Sequence, residues 1–186
     1  MNEFEKMISG LTFDGADKGV SAVRDQATAL QAILNQTVVD DLRTPLLRQL
    51  FKRFGEGSIV RPPFSCEFGQ TVEIGDNTFM NMNVLMLDGA SISIGNNVMI
   101  GPNTHFYTAS HPMDYRQRRG WTTRCQPIVI EDDVWIGGNV AITQGITIGA
   151  RSVIAANSVV TRDVKPDSLY GGCPAKFIRT LTENFD

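Results

Sequence analysis

A six-residue period limits what this chain can become. Six hexads run without interruption: Ile130-EDDVW, Ile136-GGNVA, Ile142-TQGIT, Ile148-GARSV, Ile154-AANSV and Val160-TRDVK. Every first position is Ile or Val, and every fifth is Val, Ile or Ser. An earlier block repeats the pattern at Ile94-GNNVM, Ile100-GPNTH and Phe106-YTASH, and a weaker stretch starts at Ile74-GDNTF. A period of six fits neither an amphipathic helix nor a hairpin meander. It fits short strands joined by turns, with Ile pointing inward and Gly or Asn where the backbone angles suit few other residues. Three hexads close one triangular coil, so residues eighteen apart stack: Ile130 on Ile148, Ile136 on Ile154, Ile142 on Val160. With coils about 4.8 Å apart, the ladder is both the core and the hydrogen-bonded skeleton. Each buried Ile contributes roughly 1.5–3 kcal/mol by leaving water.

Two segments lack the hexads. Residues 1–57 read as an N-terminal helical segment, and residues 58–186 as the β-helix domain. Val20, Val23, Ala27, Leu30 and Leu34 form one apolar stripe at helical spacing. A second helix is expected from after Val38 to Phe54, ended by Gly55-Glu-Gly57, with Pro45 in its first turns or at a kink. From His111 to Pro127 the period fails in a polar stretch rich in arginine (Arg116, Arg118, Arg119, Arg124). That stretch reads as a loop extruded from one corner of a coil, a place where function concentrates.

Composition narrows the classes. A length of 186 residues suits one domain with a modest appendage, and 42% apolar with 20% charged residues suits a folded protein. No apolar run is long enough for a membrane span, and the first residues lack a signal-peptide pattern, so a cytoplasmic location is expected. Cys66, Cys125 and Cys173 are odd in number and contain no CxxC pair, which argues against a disulfide framework or a structural zinc site. The sequon Asn35-Gln-Thr37 is read as chance. A net charge of −3 gives no nucleic-acid footprint. From Arg151 to Arg179, however, five basic residues face two acids, a candidate seat for a small anionic ligand. No Gly-rich phosphate loop precedes the helix, which disfavours nucleotidyl transfer.

The chain has two histidines, too few for a zinc centre built from three of them. His105 ends a hexad and reads as a solvent-facing turn residue. His111 stands in Tyr107-Thr-Ala-Ser-His111-Pro112, where the repeat stops and the loop begins.

Motifs along almost the whole chain carry a resemblance. They include Phe54-Gly-Glu-Gly57, Arg61-Pro-Pro-Phe64, Asn81-Met-Asn-Val-Leu-Met-Leu-Asp88, Tyr107-Thr-Ala-Ser-His-Pro-Met-Asp114, Val134-Trp-Ile-Gly137 and Gly172-Cys-Pro-Ala-Lys176. Together they resemble the maltose and galactoside O-acetyltransferases. The resemblance implies a mainly β fold, a left-handed parallel β-helix with an N-terminal α-helical segment and an extruded loop; the hand comes from the resemblance, not from the period. It implies direct acetyl transfer from acetyl-CoA to a hydroxyl of a sugar or similar small molecule, with no metal required. His111 is then the general base, a task to which a neutral imidazole is suited. Asn81, Glu67 and Asp14 would contact the acceptor, Asp17 being the neighbouring choice for the last. Trp135, Gly138, Ala156, Arg162, Lys176 and Arg179 would hold the coenzyme, the cations on its phosphates. Gly138 departs from the serine of the family pattern, so a backbone N–H would have to serve the oxyanion. Covalent catalysis by Cys173 lacks a nearby histidine in sequence. A homotrimer with sites between subunits is expected. A non-sugar acceptor (an antibiotic, an amino sugar or serine) and a non-catalytic scaffold are the competing readings.

Overall fold

Each hexad becomes one short strand and one corner. The computed structural model describes residues 1–120 and 122–181; Trp121, inside the expected loop, lies outside the described residues. Parallel strands stack into three faces. The first holds Arg53–Phe54, Val72–Ile74, Ile92–Ile94, Ile128–Ile130 and Thr147–Ile148. The second holds Ile59–Val60, Phe79–Met80, Met99–Ile100, Trp135–Ile136, Val153–Ile154 and Ser168–Gly171, with Lys176–Thr180 folding back antiparallel on the last. The third holds Phe64–Cys66, Val84–Leu87, His105–Tyr107, Ala141–Ile142 and Val159–Val160. The chain visits the faces in that order, so the β-helix that the period predicts is present.

Register follows the repeat. Ile130 pairs with Ile148, Ile136 with Ile154 and Ile142 with Val160. All six side chains are buried, at 0 to 1% exposure. Corners impose left-handed backbone angles at the fourth position of a hexad, where Asp133, Asn139 and Asn157 have φ between 57° and 61°. Asn and Asp tolerate that region better than other non-glycine residues. Arg151 occupies the same position at φ 58°, with its guanidinium bound at both ends to the Asp167 carboxylate, 2.6 and 2.7 Å.

Helices close the open end of this solenoid, as a repeat stack requires. Helix α1 spans Glu3–Ile8, α2 Lys18–Gln36 and α3 Asp40–Leu50. The expected stripe is the packed face of α2: Val20, Ala27 and Leu34 are buried, with Val23 and Leu30 packed beside them. Gln31 is buried there too, its amide oxygen accepting from the Cys66 N–H at 2.7 Å. Asn35 accepts from the Phe64 N–H and donates to its carbonyl, satisfying an edge of the first coil. Pro45 lies within α3. That helix ends at Leu50 rather than Phe54, because the Lys52 and Gly55 N–H groups donate to Val72 and Ile74 of the next coil. Strand pairing takes these residues out of the helix.

The expected loop emerges at the corner between the third and first faces. Its neck is a two-residue antiparallel ladder, Ala109–Ser110 against Arg124–Cys125, and it contains a short helix, α4, Tyr115–Arg118. His105 is not on a turn. It lies in strand His105–Tyr107, half-buried, with Nδ1 2.8 Å from the Tyr107 hydroxyl. Inward Phe106 turns both neighbours outward on the same side, by the two-residue period of a strand.

Candidate functional site

The corner from which the loop emerges also carries a cleft of about 830 Å³. His111, Glu67 and Asp14 all line it, brought together from the loop, an early coil and the segment between α1 and α2. The His111 ring is exposed, and its Nδ1 lies 3.0 Å from the carbonyl oxygen of Thr122. A carbonyl oxygen only accepts, so Nδ1 carries the proton and Nε2 keeps its lone pair. That lone pair can receive a proton from a substrate hydroxyl.

Glu67 is held from two sides. Its Oε1 accepts from Arg24 Nε and a second guanidinium nitrogen, at 3.1 and 3.0 Å. The guanidinium stands 5.3 Å from the centre of the Phe68 ring. Beneath them, fully buried Asp88 accepts from the backbone N–H groups of Glu67, Phe68 and Gly69 at 2.7, 3.1 and 2.7 Å, and from the Thr71 hydroxyl. A carboxylate receiving several N–H bonds fixes the backbone there. Asp14 is exposed, and its Oδ1 accepts from the Ala16 N–H. Asp17 plays a different part, capping α2 through the N–H groups of Gly19 and Val20. The rest of the wall is largely apolar, with Met7, Phe13, Phe68 and Leu87.

A second groove, about 510 Å³, runs along the corner between the second and third faces. It gathers Trp135, Gly138 and Ala156, and Asn81 lies here, away from His111. Trp135 and Met99 project from the second face, 55 and 59% exposed. Among the described residues the N–H groups of Gly138 and Ala156 have no protein acceptor, while their neighbours Gly137, Asn139 and Asn157 bond to adjacent coils. The groove thus offers two free backbone donors between apolar walls. Arg162, Lys176 and Arg179 are exposed, line neither cleft, and pair with no carboxylate among the described residues. Among the same residues no cluster of three or more potential metal ligands occurs, and no helix is long and apolar enough to cross a membrane.

Arg24, Asp88 and Thr122 escaped sequence reasoning. Arg24 follows Val23 at the edge of the apolar stripe, a position that puts it beside the core; that signal was available. Asp88 and the Thr122 carbonyl gave none, because their roles depend on which corners stack. Two of the loop arginines bind within the loop itself. Arg118 donates to the Pro112 and Met113 carbonyls, and Arg116 pairs with Asp114. Arg24 is the cation among the cleft's described lining residues. Cys125 also lines the cleft, but burial above all, with the Glu67 charge adding to it, pushes its thiol up to about 11. A thiol so shifted offers little thiolate near neutrality. Cys173 is exposed and lines neither cleft.

Residues 6–55 match the maltose acetyltransferase hexapeptide capping motif, and residues 127–162 the hexapeptide repeat of succinyl-transferase. The structure is similar to the hexapeptide-repeat acetyltransferase of Vibrio cholerae O1 biovar eltor, solved with acetyl coenzyme A. The two are 60% identical over 98% of this chain and 100% of that one, with a TM-score of 0.94. A maltose O-acetyltransferase from Clostridium difficile 630 is 39% identical over 98% of this chain and 99% of its own, TM-score 0.96. The galactoside O-acetyltransferase of Escherichia coli (strain K12) is 32% identical over 96% of this chain and 89% of that protein.

Proposed function

Because this chain belongs to the hexapeptide-repeat acetyltransferases that carry the maltose acetyltransferase capping motif, we propose that it acetylates a hydroxyl of an uncharged sugar, with His111 as general base. The observation that carries this reading is the 3.0 Å contact of His111 Nδ1 with the Thr122 carbonyl, which assigns the proton to Nδ1 and leaves the Nε2 lone pair free on a side chain that lines the cleft with Glu67 and Asp14. Acetyl-CoA, a substrate, supplies the acetyl thioester. His111 Nε2 takes the hydroxyl proton as the acceptor oxygen bonds to the thioester carbonyl carbon. The carbon–sulfur bond breaks, and the imidazolium returns its proton to the departing sulfur. General-base help of this kind is worth about 10²–10⁴-fold. The unpaired N–H groups of Gly138 and Ala156 suit the carbonyls of an extended thioester arm and the developing oxyanion, a role that needs no side-chain hydroxyl at position 138. Trp135 and Met99 wall that arm, and Arg162, Lys176 and Arg179 serve the phosphates.

The two clefts share no lining residue and lie at different corners. A complete site therefore needs the loop corner of one copy against the groove of a second, which brings Asn81 to the acceptor. Repeating one such head-to-tail contact three times closes a ring. The outward side chains of the second face support it: Phe79, Met99 and Trp135 form an apolar stripe, where the first face shows Arg53, Glu73 and Ser93. Light scattering is expected to report the mass of three chains; the mass of a single chain would rule out the shared site.

Charge in the cleft selects among acceptors. Asp14 and Glu67 outweigh Arg24, so an anionic acceptor meets net repulsion. Free-thiol release from acetyl-CoA should be measured with maltose, glucose, a thiogalactoside, serine, chloramphenicol and glucuronate. The neutral sugars are expected to lead, with glucose above glucuronate by about tenfold in kcat/KM, the effect of roughly 1.4 kcal/mol. Turnover of serine or chloramphenicol alone would favour a non-sugar acceptor, and no release with any acceptor would count against the sugar assignment.

A further inference from the structure

One side chain outside both clefts reaches the root of the catalytic loop. Gln144 belongs to the coil that follows the loop, at the same third-to-first corner. Ala141 pairs with His105 and Ile142 with Phe106, so the next corner residues, Thr143 and Gln144, stack over Tyr107 and Thr108. The chain leaves the coil just after Thr108. Gln144 Nε2 donates to the Ser110 hydroxyl oxygen at 2.6 Å, and Ser110 immediately precedes His111. The Gln144 Oε1 is buried with no partner among the described residues. A buried amide that leaves its oxygen unpaired is costly, so the bond to Ser110 is made at the expense of satisfying the amide in full.

The tie supplies what the neck lacks. The neck itself is a ladder of two residue pairs, Ala109 with Cys125 and Ser110 with Arg124, and a two-stranded ladder alone is marginal in water. Stacked coils, by contrast, are held by parallel pairing on both sides. Gln144 joins the loose element to the rigid one, one residue from the base. Thr122 orients the His111 ring, while Gln144 holds the main chain from which the ring projects.

We propose that Gln144 is a positioning residue for His111, anchoring the loop root through Ser110. The proposal rests on the reading of His111 as general base. It has no part in binding either substrate, so its loss falls on kcat. Initial rates of acetyl-CoA-dependent acetylation, with the best acceptor of the panel above, should be compared for wild type, Gln144→Ala, Ser110→Ala, the double variant, Gln144→Glu and His111→Ala. Gln144→Ala and Ser110→Ala are each expected to lower kcat about five- to tenfold, the worth of one hydrogen bond, with KM for acetyl-CoA unchanged. The double variant should be no slower than either single one, since both remove the same bond. Gln144→Glu should recover most of the rate, because the Ser110 hydroxyl can donate to a carboxylate. Wild-type kcat in Gln144→Ala, or losses that multiply in the double variant, would overturn the proposal. Should His111→Ala itself keep the wild-type rate, the general-base reading fails and this inference with it. An inactive His111→Ala beside an unimpaired Gln144→Ala refutes the inference alone.

Discussion

Replacing His111 with alanine is expected to lower acceptor-dependent acetyl transfer by about 10²–10⁴-fold while leaving the fold intact. The two halves of that expectation have separate causes. The imidazole is exposed and its hydrogen bond from Nδ1 to the Thr122 carbonyl closes a surface loop. Surface substitutions of that kind usually change stability by no more than about 0.5 kcal/mol. The rate, by contrast, depends in the proposed mechanism on Nε2 as the proton acceptor within the cleft, and no other imidazole can replace it. His105 sits on strand His105–Tyr107, outside the cleft lining, with Nδ1 engaged by the Tyr107 hydroxyl. Cys125, which also lines the cleft, is held as a neutral thiol, by burial above all. The measurement is free-thiol release beside a thermal melt. An unchanged rate with an unchanged melt would remove His111 from the chemistry.

Arg43→Leu is expected to destabilise the protein by about 3–5 kcal/mol, since each buried carbonyl left without a donor costs roughly 1–3 kcal/mol. Arg43 is 1% exposed and donates to three carbonyls, those of Leu34, Thr37 and Val60. Leu34 and Thr37 lie at the end of α2, where helix carbonyls run short of intrahelical donors, and the Leu34 carbonyl keeps only a 3.2 Å bond from the Thr37 N–H. Val60 lies in the first coil of the second face, at the open edge of the stack. One side chain therefore satisfies a helix terminus and a sheet edge, and ties the cap to the solenoid. Burial lowers the Arg43 pKa, but the charge of Asp40 opposes that shift. Leucine would fill much of the volume, leave the Thr37 and Val60 carbonyls without the Arg43 donor and leave the Leu34 carbonyl with the Thr37 N–H alone. In a chain of this length the melting temperature should fall on the order of 10 °C. Arg48→Ala, which breaks a solvent-exposed pair with Glu56, is the contrast and should cost under about 1 kcal/mol. Equal melts for the two variants would show that the cap does not depend on Arg43.

Much of the architecture was legible because a solenoid is close to one-dimensional. The same six-residue rule that places Ile148 also places what it touches, Ile130, so pattern and contact coincide. The stripe on α2 was legible for a similar reason, since one face of a helix either packs or does not. Where local and distant preferences compete, the reading slipped. Residues 51–54 continue a plausible helix, yet the second coil claims the Lys52 and Gly55 N–H groups on either side of strand Arg53–Phe54. His105 looked like a turn residue because the hexad was read from its first position, while the strand begins one residue earlier.

The sequence alone determined the repeat, the stacking register, the break at the loop and the candidate residues, because each is a matter of residue type and spacing. Only the tertiary structure decided which of those residues meet. It put His111, Glu67 and Asp14 in one cleft, and set Asn81 in the other groove with Trp135, Gly138 and Ala156. It also supplied Arg24 and Asp88 behind Glu67, and Gln144 behind the loop. These contacts join residues from 21 to 43 positions apart, across corners where side chains, not backbone ladders, choose the partner. Spacing along the chain says which corner a residue occupies; which side chains converge there depends on how the loop and the helical cap fold back over it.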